Sequence, residues 1–147
     1  VLQSDPYDVD ALNNYGLLRQ EIRADYPGAK SLFEQALQVN PLDLSTINNL
    51  AVLLEDCIQD YPAAQSMYVR ALEIKPDDVT TLCNYGGFLR HSLMDPVKSM
   101  VYLQKARELD NFVAETLIKA QDSKAAYTET KARVNITKVQ GDTALYT

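Results

Sequence analysis

Apolar residues recur along the chain at the spacing of one helix face. In the central part, Ile47, Leu50, Ala51 and Leu54 follow the i, i+3, i+4, i+7 pattern that places side chains on one side of an α-helix. Two signals mark the helix starts. An Asp at a candidate N-cap position precedes such stripes, and a Pro occurs in the first turn of some helices. The pattern predicts six helices, near residues 9–22, 28–39, 44–57, 62–74, 79–92 and 96–109.

These helices belong to three copies of a repeat with a period of 35 residues. Eight columns of identical or similar residues keep this spacing, which chance does not explain. Gly in a helix interior costs about 1 kcal/mol relative to Ala, so a small residue kept there indicates a closely packed neighbouring helix. A pair of helices of this size cannot bury its apolar face alone, and we expect the copies to stack. The column of small residues is Gly16, Ala51 and Gly86, and a polar column beside it is Asn14, Asn49 and Asn84.

The repeat resembles the tetratricopeptide repeat, in which large, small, aromatic and closing Pro positions follow a fixed order. The resemblance covers residues 6–110 and implies an all-α protein, a right-handed α-solenoid with repeats at about 6–40, 41–75 and 76–110. The family period is 34 residues, and the additional residue falls between the paired helices, around 22–24, 57–59 and 92–94. The second copy shows the motif as Ile47, Leu50-Ala51, Ala64, Tyr68, Ala71 and Pro76.

After the third copy the repeat pattern ends. Residues 111–127 keep a weaker helical pattern, and we expect them to form a capping helix, because a solenoid needs a terminal element to cover its last apolar surface. Residues 128–147 have no helical stripe. Three arrangements stay open for them: extension of the capping helix, packing against the solenoid, or docking on another copy of the chain.

Composition and charge narrow the function class. The chain has 147 residues, is 46% hydrophobic and carries a net charge of −6, so it is too apolar for a disordered chain. Its pI near 4.7 lacks the basic footprint of a nucleic-acid-binding protein. It shows neither a signal peptide nor an apolar run long enough for a membrane span. We therefore expect a cytoplasmic (intracellular) protein without nucleic-acid or membrane partners.

No catalytic constellation is visible. The single histidine, His91, has no metal-ligand partner one helical turn away, and Cys57 and Cys83 lie at opposite ends of successive predicted helices, too far apart to form a disulfide. Phosphate-binding loops and nucleophile elbows are also missing. The sequence predicts a protein that is not an enzyme, with no catalytic residues, no metal and no cofactor.

The resemblance implies that the first helix of each copy lines a concave groove in which partner peptides bind. The Asn column is similar to the asparagine ladders of tetratricopeptide proteins, where carboxamides bond the peptide backbone. The alternative is that each Asn bonds the neighbouring helix. Gly87 would leave room for a bulky ligand side chain. The predicted peptide-binding residues are Asn13, Asn14, Asn48, Asn49, Asn84, Leu17, Val52, Glu55 and Arg90.

Charge favours a basic partner, because Glu21, Glu55 and Asp56 lie at the far ends of the first two inner helices. A solvated acidic helix end is an equally weighted alternative. The carboxylate clamp of heat-shock cochaperones is not expected, because only Asn49 matches its five positions. The other four are Asn13, Leu17, Thr80 and Asn84, and none carries a positive charge.

The leading hypothesis is a non-catalytic protein-interaction module, or adaptor, that binds an extended peptide through the Asn ladder. One alternative is a scaffold that self-associates into a homo-oligomer through residues 128–147, whose slightly basic charge could attract the acidic first copies. Because the chain begins with Val1 instead of Met, a longer parent protein stays open. The chain could then be the substrate-recruiting arm of a larger enzyme.

Overall fold

A computed structural model describes the backbone of residues 8–144 and the side chains of residues 8–130. Within these residues the protein is all-α, with no β-strand. The third α-helix continues directly into a π-helical turn, Leu54–Ile58. The α-helices are α1 (Val9–Arg23), α2 (Tyr26–Val39), α3 (Leu44–Leu53), α4 (Tyr61–Ile74), α5 (Val79–His91), α6 (Pro96–Leu109) and α7 (Asn111–Ala144).

An aspartate caps the N-terminus of each of the first six helices. At α3, Oδ2 of Asp43 accepts a hydrogen bond of 2.9 Å from the backbone N–H of Thr46, one of the donors that a helix start leaves unpaired. A proline occupies the first turn of α2, α4 and α6. These signals explain why the predicted helices lie within two residues of the observed ones. The capping residues are Asp8, Asp25, Asp43, Asp60, Asp78 and Asp95.

The helices pack in consecutive pairs, α1 with α2, α3 with α4 and α5 with α6. The second helix of each pair also contacts the first helix of the next, so α2 meets α3, α4 meets α5 and α6 meets α7. In addition α1 contacts α3, α3 contacts α5 and α5 contacts α7. The first helices of the pairs therefore form a row, α1–α3–α5, with α7 beside its last member.

The additional residue of each copy lies in a left-handed turn between the paired helices. Ala24, Gln59 and Met94 have φ of 48°, 61° and 55°, and they are spaced by the repeat period. The next residue in each copy bonds six residues back, as Asp60 N–H does to the Leu54 carbonyl at 2.9 Å. A side chain in the left-handed region is strained, since its Cβ approaches the following carbonyl oxygen.

The small columns allow helices to approach closely, as the sequence predicts. A Cβ at Gly16 would lie 2.6 Å from the ring of Phe33, and one at Gly86 would lie 2.5 Å from Cδ2 of Leu103. Ala51 is fully buried. At these positions the first helix of each pair packs against the second. Glycine has a low helix propensity, but its lack of a side chain lets the two helices approach closely.

Helix α7 covers the end of the core. Its residues Ala114 and Ile118 are buried in one cluster with Leu82 and Leu103. The segment from residue 128 onward, for which the sequence leaves three arrangements open, continues α7 as far as Ala144. Residues 145–147 of the predicted tail lie outside the described residues.

Candidate functional site

The predicted asparagines lie on the row formed by α1, α3 and α5. The side-chain amide of Asn49 donates to Oδ1 of Asn13 at 2.9 Å and so joins α3 to α1. Asn14 is exposed, and its side chain makes no hydrogen bond with the residues described. Each carboxamide has two N–H donors and two acceptor lone pairs, so a single bond leaves most of its hydrogen-bonding capacity for another partner. Leu17 is half-buried against the core below them.

Asn48 has a different environment from its neighbours. It is 7% exposed, and its amide donates to Oγ1 of Thr81 at 2.8 Å and to the Leu44 carbonyl at 3.1 Å. Its Oδ1 is buried without a hydrogen-bond partner. Asn48 thus holds α3 against α5, as Asn49 joins α3 to α1. Both make the neighbouring-helix bond that the sequence leaves open as the alternative for these asparagines.

Asn84 is in contact with α7. Gln121 on α7 donates to Oδ1 of Asn84 at 3.2 Å and to the Cys83 carbonyl at 3.1 Å. A Cβ on Gly87 would overlap the amide of Gln121. The space at Gly87, which the sequence analysis assigns to a ligand side chain, is therefore occupied by Gln121. The expectation for that space is wrong because α7 packs against α5 at Gln121.

Charged residues also join α7 to the row. Arg90, a predicted peptide-binding residue, lies 3.3 Å from Asp122, and Nε2 of His91 lies 2.9 Å from the same carboxylate. Lys124 forms an ion pair with Asp56 in the π-helical turn after α3. Exposed pairs of this kind contribute only about 0–1 kcal/mol each, so α7 is fixed mainly by its buried apolar residues.

A cavity of about 570 Å³ lies between α7 and the ends of α3 and α5. Three of the predicted site residues line it: Val52, Glu55 and Asn84. The six others lie outside its walls; they are Asn13, Asn14, Leu17, Asn48, Asn49 and Arg90. The structure therefore divides the predicted site into a row of carboxamides over α1 and α3 and a cavity beside α5.

Glu55 is the most unusual group in the cavity wall. Tyr68 donates its hydroxyl to Oε2 of Glu55 at 2.8 Å, and Ser92 donates to Oε1 at 2.8 Å. Burial raises the pKa of the Glu55 carboxyl, while the two hydroxyl donors act in the opposite direction. Burial and the nearby Glu55 carboxylate also raise the pKa of the Tyr68 phenol.

The sequence pattern does not indicate Tyr68, Ser92, Gln121 or Lys124 as part of this site. Tyr68 was visible only as the aromatic of the repeat motif, and its ring is fully buried. Gln121 and Lys124 follow the end of the repeat, so no register links them to the inner row. An acidic residue on a predicted inner helix, such as Glu55, was the available signal.

No protein-family model matches the chain, and a search of curated proteins finds no match either. Among residues 8–144, no helix is sufficiently long and apolar to cross a bilayer. Across the same part of the chain, no group of three or more His, Cys, Asp and Glu side chains is arranged to hold a metal ion.

Proposed function

We propose that the protein is a non-catalytic binding module, built as a tetratricopeptide-like solenoid, that holds an extended polypeptide along the row α1–α3–α5. The three-copy repeat and the sequential packing of paired helices support this architecture. The first helices of the pairs form a single row, so polar groups repeated on them recur along it. An extended peptide presents donors and acceptors at a similarly regular spacing.

The observation that carries the proposal is the hydrogen bond from Asn49 to Asn13. It orients two carboxamides on adjacent helices, while Asn14 stands exposed beside them. A preoriented amide loses less conformational entropy on binding than a mobile one, which favours backbone recognition. Asn84 extends the set to α5 with Gln121 as its partner.

Selection of peptides followed by substitution tests the proposal. Random twelve-residue peptides displayed on phage are selected against the full chain, and their affinities are measured by calorimetry. The double variant Asn14→Ala, Asn49→Ala should weaken the selected peptides by about 10- to 100-fold, because each lost hydrogen bond contributes about 1 kcal/mol. Its thermal midpoint should stay within a few degrees, since neither residue is buried.

The matched control is Asn111→Ala, which removes an exposed carboxamide at the start of α7, away from the row. This control should bind the selected peptides as the wild type does. Failure to select any peptide, or equal binding by the double variant and the wild type, would contradict the proposed function.

A further inference from the structure

The cavity beside α5 combines an apolar wall with the carboxylate of Glu55. The apolar side chains of the wall that are at least partly exposed are Val52, Tyr61, Met94 and Ala125. The Tyr61 ring packs edge-on against the buried ring of Phe88, with centroids 6.1 Å apart. The accessible part of Tyr61 can pack against an aliphatic stem.

Glu55 is a carboxylate of the cavity wall that takes part in none of the ion pairs among residues 8–130. Asp56 and Lys124 also line this wall. Lys124 forms an ion pair with Asp56, so an ammonium group at the cavity wall already compensates the charge of that carboxylate. The cavity therefore favours a positively charged occupant.

Glu55 provides the specific partner for such a charge. It is partly withdrawn from water, and both of its oxygens are oriented by hydroxyl donors, yet it forms no ion pair with any residue between 8 and 130. A carboxylate removed from water without a cation is destabilising, and a cationic ligand would relieve that cost. The raised pKa of the Glu55 carboxyl reports the same unfavourable burial of charge.

The cavity is large enough to admit a side chain. Its volume of about 570 Å³ lies within the range of about 300–1,000 Å³ that is usual for ligand pockets. A long basic side chain has an aliphatic stem for the apolar wall and a charged head for Glu55. The peptide row and the cavity share α3 and α5, so one bound chain could contact both.

We propose that this cavity binds the side chain of a lysine or arginine of the bound polypeptide, with Glu55 as the carboxylate that pairs with it. The identity of the ligand as part of a polypeptide rests on the proposed function. The cavity's preference for a basic side chain rests on its own walls and is tested separately.

The direct test is an NMR titration of the full chain with capped amino acids. N-acetyl-arginine amide and N-acetyl-lysine amide should shift the backbone resonances of Phe88 and Ser92 in a saturable manner. N-acetyl-norleucine amide has a similar stem without the charge and should bind at least about tenfold more weakly. Equal shifts with the neutral compound, or no saturable shifts with either basic compound, would overturn the proposal.

Two substitutions assign the effect to named residues. Glu55→Gln keeps the size of the side chain and an acceptor oxygen, and it should weaken the basic compounds about tenfold or more. Glu73→Gln, an exposed residue of α4, makes the same charge change and should have no effect. Unchanged binding by Glu55→Gln would contradict the role given to this carboxylate.

A second variant serves if Glu55→Gln does not fold. Lys124→Gln removes the cation that the chain itself places at the wall, so the basic compounds should bind a few-fold more tightly. Lys119→Gln, on the exposed surface of the same helix, is the control and should change nothing. Weaker binding by Lys124→Gln than by the control would overturn the proposal.

The outcomes separate this inference from the proposed function. The capped basic amino acids could bind while the Asn14 and Asn49 substitutions leave the affinity of the selected peptides unchanged. That result would support the cavity proposal and contradict the proposed peptide-binding function. Conversely, the substitutions could weaken binding of the selected peptides while basic and neutral capped amino acids bind with equal affinity. That result would support the proposed function and contradict the cavity proposal.

Discussion

The side-chain amide of Asn49 donates a 2.9 Å hydrogen bond to Oδ1 of Asn13, and this contact links the first helices of two successive pairs. The contact orients two carboxamides on the face that the proposed function assigns to a bound polypeptide. The asparagines of α1 and α3 differ in burial: Asn13 and Asn49 are half-buried and Asn14 is exposed, whereas Asn48 is buried and its amide bonds Thr81.

We expect the buried and the exposed asparagine to differ in their effect on stability. Asn48→Ala should lower the free energy of unfolding by about 1–2 kcal/mol, because it removes a buried hydrogen bond between α3 and α5. Asn14→Ala should change it by less than about 0.5 kcal/mol, since the side chain is exposed. Urea denaturation measures both values, and equal costs for the two variants would contradict the assignment.

Two adjacent glycines of α5 should differ in the stability change that substitution by alanine causes. Gly86→Ala should lower the free energy of unfolding by about 1–3 kcal/mol, because its Cβ meets the buried side chain of Leu103. Gly87→Ala meets only the flexible end of Gln121 and gains helix propensity, so its change should lie within about 1 kcal/mol of zero. Thermal unfolding compares them, and the opposite order would contradict the packing described for α5 and α7.

Gln59→Gly should stabilise the protein. Gln59 has φ of 61°, and a left-handed residue other than Gly costs about 1–2 kcal/mol, of which the greater entropy of unfolded Gly offsets a part. We expect a gain of about 0.5–1 kcal/mol in urea denaturation. Gln38→Gly, on the exposed surface of α2, should instead destabilise by about 0.5–1 kcal/mol. A loss of stability in Gln59→Gly would show that the turn is not strained.

The stability of the protein relative to Glu55→Gln should depend on pH. The pKa of the Glu55 carboxyl is raised above its ordinary value of 4.5, so the folded state binds this proton more tightly than the unfolded state does. Its stabilising contribution is complete below that ordinary value and is lost as the pH rises through the folded pKa. The wild type should therefore lose stability relative to Glu55→Gln as the pH rises from the ordinary value of 4.5 through the raised pKa of the Glu55 carboxyl.

Urea denaturation of both proteins across this range measures the difference. The titratable groups that face Glu55 are Asp56, Lys124 and Tyr68, and both proteins retain them. Glu73→Gln provides the control for a change of one charge. A difference that stays constant with pH, or that reverses sign, would contradict the burial of the Glu55 charge.

The two cysteines should differ in reactivity. Burial raises the pKa of the Cys83 thiol to about 11, and Cys83 is fully buried. Cys57 is partly exposed, although burial raises its pKa as well. Alkylation of the native protein with iodoacetamide, followed by mass spectrometry, should modify Cys57 first and leave Cys83 protected until denaturant is added. Modification of Cys83 at the rate of Cys57 would contradict the packing of α5 against α7.

The sequence predicts most of the helical framework because its signals are local. Asp43 and Asp60 start helices by bonding backbone donors in the same turn, and the Gly16 column records close packing within one pair. The π-helical turn at Leu54–Ile58 was not predicted, since it depends on how each pair of helices closes and no residue type marks it.

The cavity could be predicted only in part. Glu55 and Val52 were identified because they lie on an inner helix within the repeat. The position of Gln121 and Lys124 depends on the path of α7, which follows the last copy and has no repeat register. The path of α7 determines which polar groups of α5 remain accessible to a ligand, and local sequence patterns do not predict that path.

The central claim is that an extended polypeptide lies along the row α1–α3–α5. The most direct measurement attaches a nitroxide spin label to a peptide selected against the wild type and follows paramagnetic broadening in the NMR spectrum of the full chain. We expect broadening at Asn14, Asn49 and Asn84, with α2, α4 and α6 much less affected. Broadening centred on α2, α4 or α6, with the asparagine row unaffected, would contradict it.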